Sequence, residues 1–116
     1  MELRISSNSL YAFYDLSCSP VTLDFTTFMA CANAYRLAKG LAEVHVLFVP
    51  DVGSGFRERT ERDIAYDVEK KRWRLYNLLM PVSSLVPECR AITMATNREI
   101  ACSDWLLHSQ VKDNVF

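Results

Sequence analysis

The sequence predicts an α/β domain: a mostly parallel sheet of three to four strands with helices on both faces, making three layers. Three observations predict it. Residues 11–16 (YAFYDL), 44–50 (VHVLFVP) and 91–95 (AITMA) are apolar runs with the content of buried strands. Helical patterns lie between and after them, which forces parallel pairing through right-handed crossovers. Each run also breaks into a polar loop at its carboxyl end, the edge along which open α/β sheets bind ligands.

The elements follow in chain order. A first strand is expected over Leu10 to Leu16. In the loop SCSPVTL, Pro20 fixes its own φ and biases Ser19 toward extended backbone. A helix follows from about Leu23 to Lys39, with Thr22 or Asp24 able to accept backbone hydrogen bonds at its start and Gly40 suited to a left-handed cap. Phe25, Phe28, Met29, Ala32, Tyr35 and Arg36 keep helical spacing. Ala30, Cys31, Ala34, Leu37 and Ala38 make much of the remainder apolar, so cover from the sheet and a neighbour is expected. EVHVLFVP is apolar on both faces, the mark of an interior parallel strand. A long helix is expected over Thr60 to Leu79. Thr60 and Asp63 form a capping-box pair at its start, Ile64, Val68, Leu75, Leu78 and Leu79 lie along one stripe, and Pro81 ends it. A third strand and a helix from about Asn97 to Gln110 complete the pattern, and VKDNVF begins a fourth strand. The strand order is expected to be 3-2-1 or 2-1-3.

At 116 residues the chain is one domain, with half its residues apolar and 23% charged. A net charge of −1 gives no general attraction to nucleic acid or to an anionic membrane. No apolar run approaches the ~20 residues of a membrane span, and MELRISSNS lacks the basic and then apolar stretches of a signal peptide, so a cytoplasmic location is expected. Cys18, Cys31, Cys89 and Cys102 form no C-x-x-C and have no zinc-ligand spacing to a histidine. They read as reduced structural thiols, Cys31 as a small hydrophobe within a helix. The short sheet points either to a piece of a longer protein or to a homo-oligomer that covers its own edge.

The candidate site residues come from the strand-end loops. After the first strand stand Asp15, Ser17, Ser19, Thr22 and Asp24. Backbone amides and hydroxyls at a helix start suit a ligand, while turn and capping chemistry uses the same residue types. An acid there favours a neutral hydroxylated ligand over a phosphate. After the second strand, DVGSGFRER supplies Asp51 and Ser54, glycines that permit close backbone approach, and Arg57 or Arg59 as an anion clamp. A loop with solvated charges is the alternative. After the third come Thr96, Asn97 and Arg98.

Other patterns carry less. Residues 57–74 hold seven basic and five acidic side chains, with Glu58 to Arg62 and Asp67 to Lys71 at i,i+4 spacing. KKRWR within them reads as a solvated helix face rather than a nucleic-acid site, because the acids offset the basic field. His45 and His108 lack partners at metal-ligand spacing, so no metal or cofactor is expected. G-x-G-x-x-G fails at Glu58, and no Walker loop, G-x-S-x-G or D-x-D occurs. SQVK at Ser109 to Lys112 lacks the companion motifs of S-x-x-K enzymes.

The stretch YAFYDLSCSPVTLDFTTFMACANAYRLAKGLAEVHVLFVP, with WRLYNLL further on, resembles the N-terminal Rossmann-like half of two-domain (GT-B-type) glycosyltransferases. It also resembles uncharacterised bacterial proteins in which a YDL strand end precedes a proline-containing loop and a DF helix start. The resemblance spans about residues 10–102. SCSPVTL departs from it in lacking the glycines common after the first strand. It implies a Rossmann-like fold and the acceptor side of a glycosyltransferase, with a sugar or nucleotide-sugar ligand. Asp15 or Asp51 would then be the general base for a sugar hydroxyl, and Arg57 and Arg98 would hold negative charge. The rival reading is a non-catalytic Rossmann-like module for small-molecule binding or oligomerisation.

Overall fold

The computed structural model describes residues 8–99 and 115–116. Strands β1 (Ser9–Asp15), β2 (Glu43–Val49) and β3 (Cys89–Met94) form one parallel sheet in the order β1-β2-β3, which is order 3-2-1 read from the other edge. Ser9 lies opposite Glu43 and Asp15 opposite Val49. On the other side of β2, Val44 faces Cys89 but His45 faces Ala91, so Arg90 is an extra residue that kinks β3. The outer edge of β1 is paired as well. Val115 bridges Tyr11 in parallel, Phe116 N–H donates to Tyr11 O at 2.9 Å, and Phe13 N–H donates to Phe116 O at 3.0 Å. Of the expected fourth strand the described residues hold an isolated parallel bridge at Val115, and residues 111–114 lie outside the described residues. The domain is α/β and Rossmann-like.

Right-handed crossovers that step the same way along a sheet put their helices on one face. Helix α1 (Asp24–Lys39) follows β1. Helices α2 (Glu61–Ile64), α3 (Val68–Arg74) and α4 (Met80–Ser83) lie between β2 and β3. The main core joins Leu10, Ala12 and Tyr14 of β1 and Val44, Val46 and Phe48 of β2 to Phe25, Met29 and Ala32 of α1 and to Leu75 and Leu79 beyond α3. The Tyr14 ring meets Phe25 and Phe28 edge-on at 4.9 Å between centroids. Its hydroxyl donates to Pro20 O at 2.6 Å, and burial pushes its pKa up to about 12. The other face of the sheet buries Tyr11, Leu47, Val49 and Ala95 around Phe13. Of the helix expected from about Asn97 to Gln110, Arg98 and Glu99 are helical, and residues 100–110 lie outside the described residues.

Two helical expectations are corrected. Helix α1 buries a single stripe of Phe25, Met29, Ala32 and Arg36, while Ala30, Cys31, Ala34, Leu37 and Ala38 are exposed. Alanines on a helix carry little apolar area, so their number does not demand a second neighbour. Gly40 ends α1 at φ 68° as expected. The long second helix is broken into pieces. Thr60 and Asp63 do form the capping box, but only α2 follows it, and Ile64 is 69% exposed. Asp67 then starts α3 afresh by accepting from Lys70 N–H at 2.8 Å.

Pro81 does not stop the helix. A π turn over Leu75–Leu79 leads into α4, and Met80 N–H reaches back to Leu75 O. The wider turn replaces the i−4 carbonyl geometry that a proline ring would strike, which is how the helix continues through Pro81. The cysteines Cys18, Cys31 and Cys89 are free. Cys31 is exposed rather than packed, and Cys102 lies outside the described residues. Among the described residues no helix is long and apolar enough to cross a membrane.

Candidate functional site

Parallel pairing sets the carboxyl ends of β1, β2 and β3 side by side, and the three loops that leave them converge. Leu16 N–H donates to Val49 O at 2.8 Å, and Ala95 N–H donates to Phe48 O at 3.0 Å. Arg98 spans the site. Its guanidinium grips Asp15 through both amino groups, Nη1 to Oδ1 at 2.6 Å and Nη2 to Oδ2 at 3.0 Å, and Nη1 also reaches Pro50 O at 3.2 Å. One arginine thus ties the first and second strand ends to the third.

Asp15 lies at the carboxyl end of the strand where neighbours run out in both directions, with β2 on one side and Val115–Phe116 on the other. Such a switch point is where open sheets form a crevice. Here the Asp15–Arg98 pair occupies the strand end from the β2–β3 side. Ser17 is buried and committed to the same carboxylate, donating from N at 2.9 Å and from Oγ at 2.7 Å. The hydrogen bonds from Arg98 are the main cause that holds the Asp15 carboxyl at about 2. A carboxylate that acidic is a weak proton acceptor at neutral pH, so in this arrangement Asp15 positions Arg98.

The remaining candidates divide between two hollows that share Phe56. Asp51, Ser54, Thr96, Asn97 and Arg98 line a cleft of about 560 Å³ between the β2 and β3 loops, with Leu75 and Met94 also in its wall. The loop Asp51–Gly55 closes through Asp51 N–H to Gly55 O at 2.9 Å, and Gly55 takes φ 92° to do so. Among the described residues the Asp51 carboxylate accepts one hydrogen bond, from Val52 N–H at 2.8 Å. Ser54 Oγ donates toward Glu58 Oε1 at 3.1 Å and Phe56 O at 3.3 Å. Glu99, Arg72 and the half-exposed ring of Tyr76 complete the polar rim.

Ser19, Thr22 and Arg57 line the other hollow, a cavity of about 650 Å³ between the β1–α1 loop and α2 and α3. Thr22 Oγ1 accepts from Asp24 N–H at 3.3 Å. Arg57 is spent on structure. Its Nε and Nη2 grip Asp63 at 3.0–3.1 Å, and its Nη1 donates to Cys18 O at 2.8 Å. The buried Asp63 also accepts from Arg59 N–H at 3.0 Å and Thr60 N–H at 3.1 Å. The hydrogen bonds from Arg57 hold its carboxyl at about 2.

Sequence reasoning missed Lys71, Arg74 and Tyr76. KKRWR reads as a solvated face, but the Lys71 side chain is only 3% exposed and faces the cavity together with Arg74. Asp67, expected to pair with Lys71, caps the backbone instead, and the ammonium turns to Arg57 O at 3.2 Å. No sequence signal marked Lys71 and Arg74, because a cap at Asp67 and a continuous helix use the same residue types. His45 is not metal-bound in character: its Nε2 lies 2.6 Å from Thr93 Oγ1, and burial lowers its pKa. Among the described residues no three His, Cys, Asp or Glu side chains cluster as metal ligands would. No protein-family model, curated protein or solved structure matches the chain.

Proposed function

We propose that this chain is a Rossmann-like domain that binds a hydroxylated, sugar-like small molecule in the cleft between the β2 and β3 loops. The observation that carries the reading is the make-up of that cleft. A half-exposed aromatic ring, Tyr76, stands beside the carboxylates of Asp51 and Glu99 and the neutral groups of Thr96 and Asn97. A pyranose has one apolar face for a ring and a rim of hydroxyls that both donate and accept. Its volume fits a cleft of this size. The resemblance to the acceptor-side half of glycosyltransferases agrees in ligand class. In that role Asp51 is the base, because Asp15 is committed to Arg98 and Ser17. The base must lie within ~3 Å of the hydroxyl proton it removes.

Calorimetric or NMR titration with neutral monosaccharides and with nucleotide sugars tests this. Wild type is expected to bind a monosaccharide. Tyr76→Ala and Asp51→Asn are each expected to weaken it, Asp51→Asn by about 1.5–3 kcal/mol, the range for a hydrogen bond to a charged group. Preference for the nucleotide sugar would place the domain on the donor side. No saccharide binding by folded wild type removes the reading.

Association is the second reading, favoured by β3. Among the described residues its outer edge has no strand partner, and Ile92 on it is 40% exposed. Sedimentation that finds only monomer at high micromolar concentration excludes it.

A further inference from the structure

The cavity beside α3 holds a buried charge that the fold satisfies only in part. Lys71 Nζ carries three protons. One goes to Arg57 O at 3.2 Å, and the nearest carboxylate oxygen, Glu58 Oε1, is 3.9 Å away on a half-exposed side chain. Among the described residues no other acceptor reaches it. A buried ammonium left this way is costly unless an anion completes it. Arg74 lies three residues on, on the same side of α3. It uses Nε on Val21 O at 2.8 Å and lays its guanidinium over the Tyr66 ring at 5.2 Å. Its two terminal amino groups make no hydrogen bond to any described residue. Both side chains line the cavity of about 650 Å³.

The rest of the lining narrows the ligand. Arg57 and Asp63 neutralise each other. Among the lining residues that leaves Lys71 and Arg74 against the exposed Asp24, with Glu58 outside the lining at 3.9 Å from Lys71. The amino end of α1 also opens on the cavity through Ser19 to Asp24, adding its positive dipole end. Apolar lining comes from Pro20, Val21, Phe56 and Leu23, the last 61% exposed. We propose that this cavity binds an organic phosphate monoester, its phosphoryl group on Lys71 and Arg74 and its organic part against Pro20 and Leu23.

Phenyl phosphate is the probe. It has a phosphoryl group and an apolar ring but none of the hydroxyls that the sugar reading requires, so the outcome is independent of the β2–β3 cleft. Binding is followed by calorimetry and by ³¹P NMR at low ionic strength, where the electrostatic attraction is least screened. Phenyl phosphate is expected to bind more tightly than inorganic phosphate, and phenol not at all. Lys71→Met and Arg74→Gln are each expected to weaken it by about tenfold or more, as loss of a hydrogen bond to a charged group does. No binding by wild type at millimolar concentration overturns the proposal, and so does binding that both variants leave undiminished. If Lys71→Met does not fold, Arg74→Gln decides by the same two outcomes.

Discussion

Replacing Asp63 by Asn removes the charge that organises the segment between β2 and α3. The Asp63 carboxylate, 6% exposed, takes a forked pair of bonds from Arg57 and two backbone bonds from Arg59 and Thr60. Its pKa lies at about 2 against the ordinary 3.8. At about 1.4 kcal/mol per tenfold change in proton affinity, this lowering stabilises the folded state by on the order of 2 kcal/mol at neutral pH. Arg57 is only 24% exposed, so solvent screening takes away little of that.

The sign follows from which state binds the proton first. On acidification the unfolded carboxyl protonates around 3.8 and the folded one only near 2, so stability is lost as pH falls across that window. Asn has no such proton and turns an amide toward Arg57. Urea unfolding followed by far-ultraviolet circular dichroism is expected to show Asp63→Asn less stable by about 2 kcal/mol at pH 7. The gap should narrow steadily between pH 4 and pH 2. A gap of equal size at both ends of that range would mean that the carboxylate's charge contributes nothing, and would refute the reasoning.

Phe25 is 1% exposed and touches Tyr14, Phe28 and Phe48, so Phe25→Ala is expected to cost about 3–5 kcal/mol in the same urea assay. Gly40→Ala meets no atom within 4 Å, so its cost is backbone strain at φ +68° alone, about 1–2 kcal/mol of lowered unfolding free energy. Burial lowers the His45 pKa below 6.5, so the unfolded state takes a proton first and stability falls as pH drops through 6.5. His45→Gln is expected to flatten that part of the stability profile.

The sheet was legible because its strands carry their burial in composition. VHVLFVP is apolar at every second position and at most positions between, and β2 is buried on both faces accordingly. The edge strand β3 was legible for a different reason, the polar loops that bracket AITMA. The second helix was not legible as a broken one. Ile64, Val68 and Leu75 fit a helical stripe well enough to hide the restart at Asp67, because capping and continuation use the same residue types. Pro81 misled in the other direction, since a proline ends a helix only if the turn before it is regular. At the site, convergence of the loops followed from parallel pairing. Which charges were already spent did not. Arg57 and Arg98 are equally good anion clamps in sequence, and only the fold places Asp63 and Asp15 against them. Conversely, Lys71 is surrounded by charges in sequence and by almost no solvent in the fold.

The π turn at Leu75–Leu79 also keeps an angular phase. Each residue of an α-helix advances the next side chain by about 100°. Upstream of the turn, Lys71 and Arg74 point into the cavity beside α1, while downstream Leu79 and Ser83 are buried. A π turn advances each side chain by less, so its five residues cover about the angle that four take in a regular helix, and the extra residue is absorbed as a bulge without rotating one half against the other. The hydrophobic anchors downstream and the two cations upstream therefore keep the phase of one uninterrupted helix. Pro81 is accommodated by the width of the turn and not by a change in the direction of the chain. A single-codon deletion at Leu78 would close the turn and bring back the carbonyl that the proline ring strikes, so its cost would fall on stability at Pro81 and not on the aim of Lys71 and Arg74.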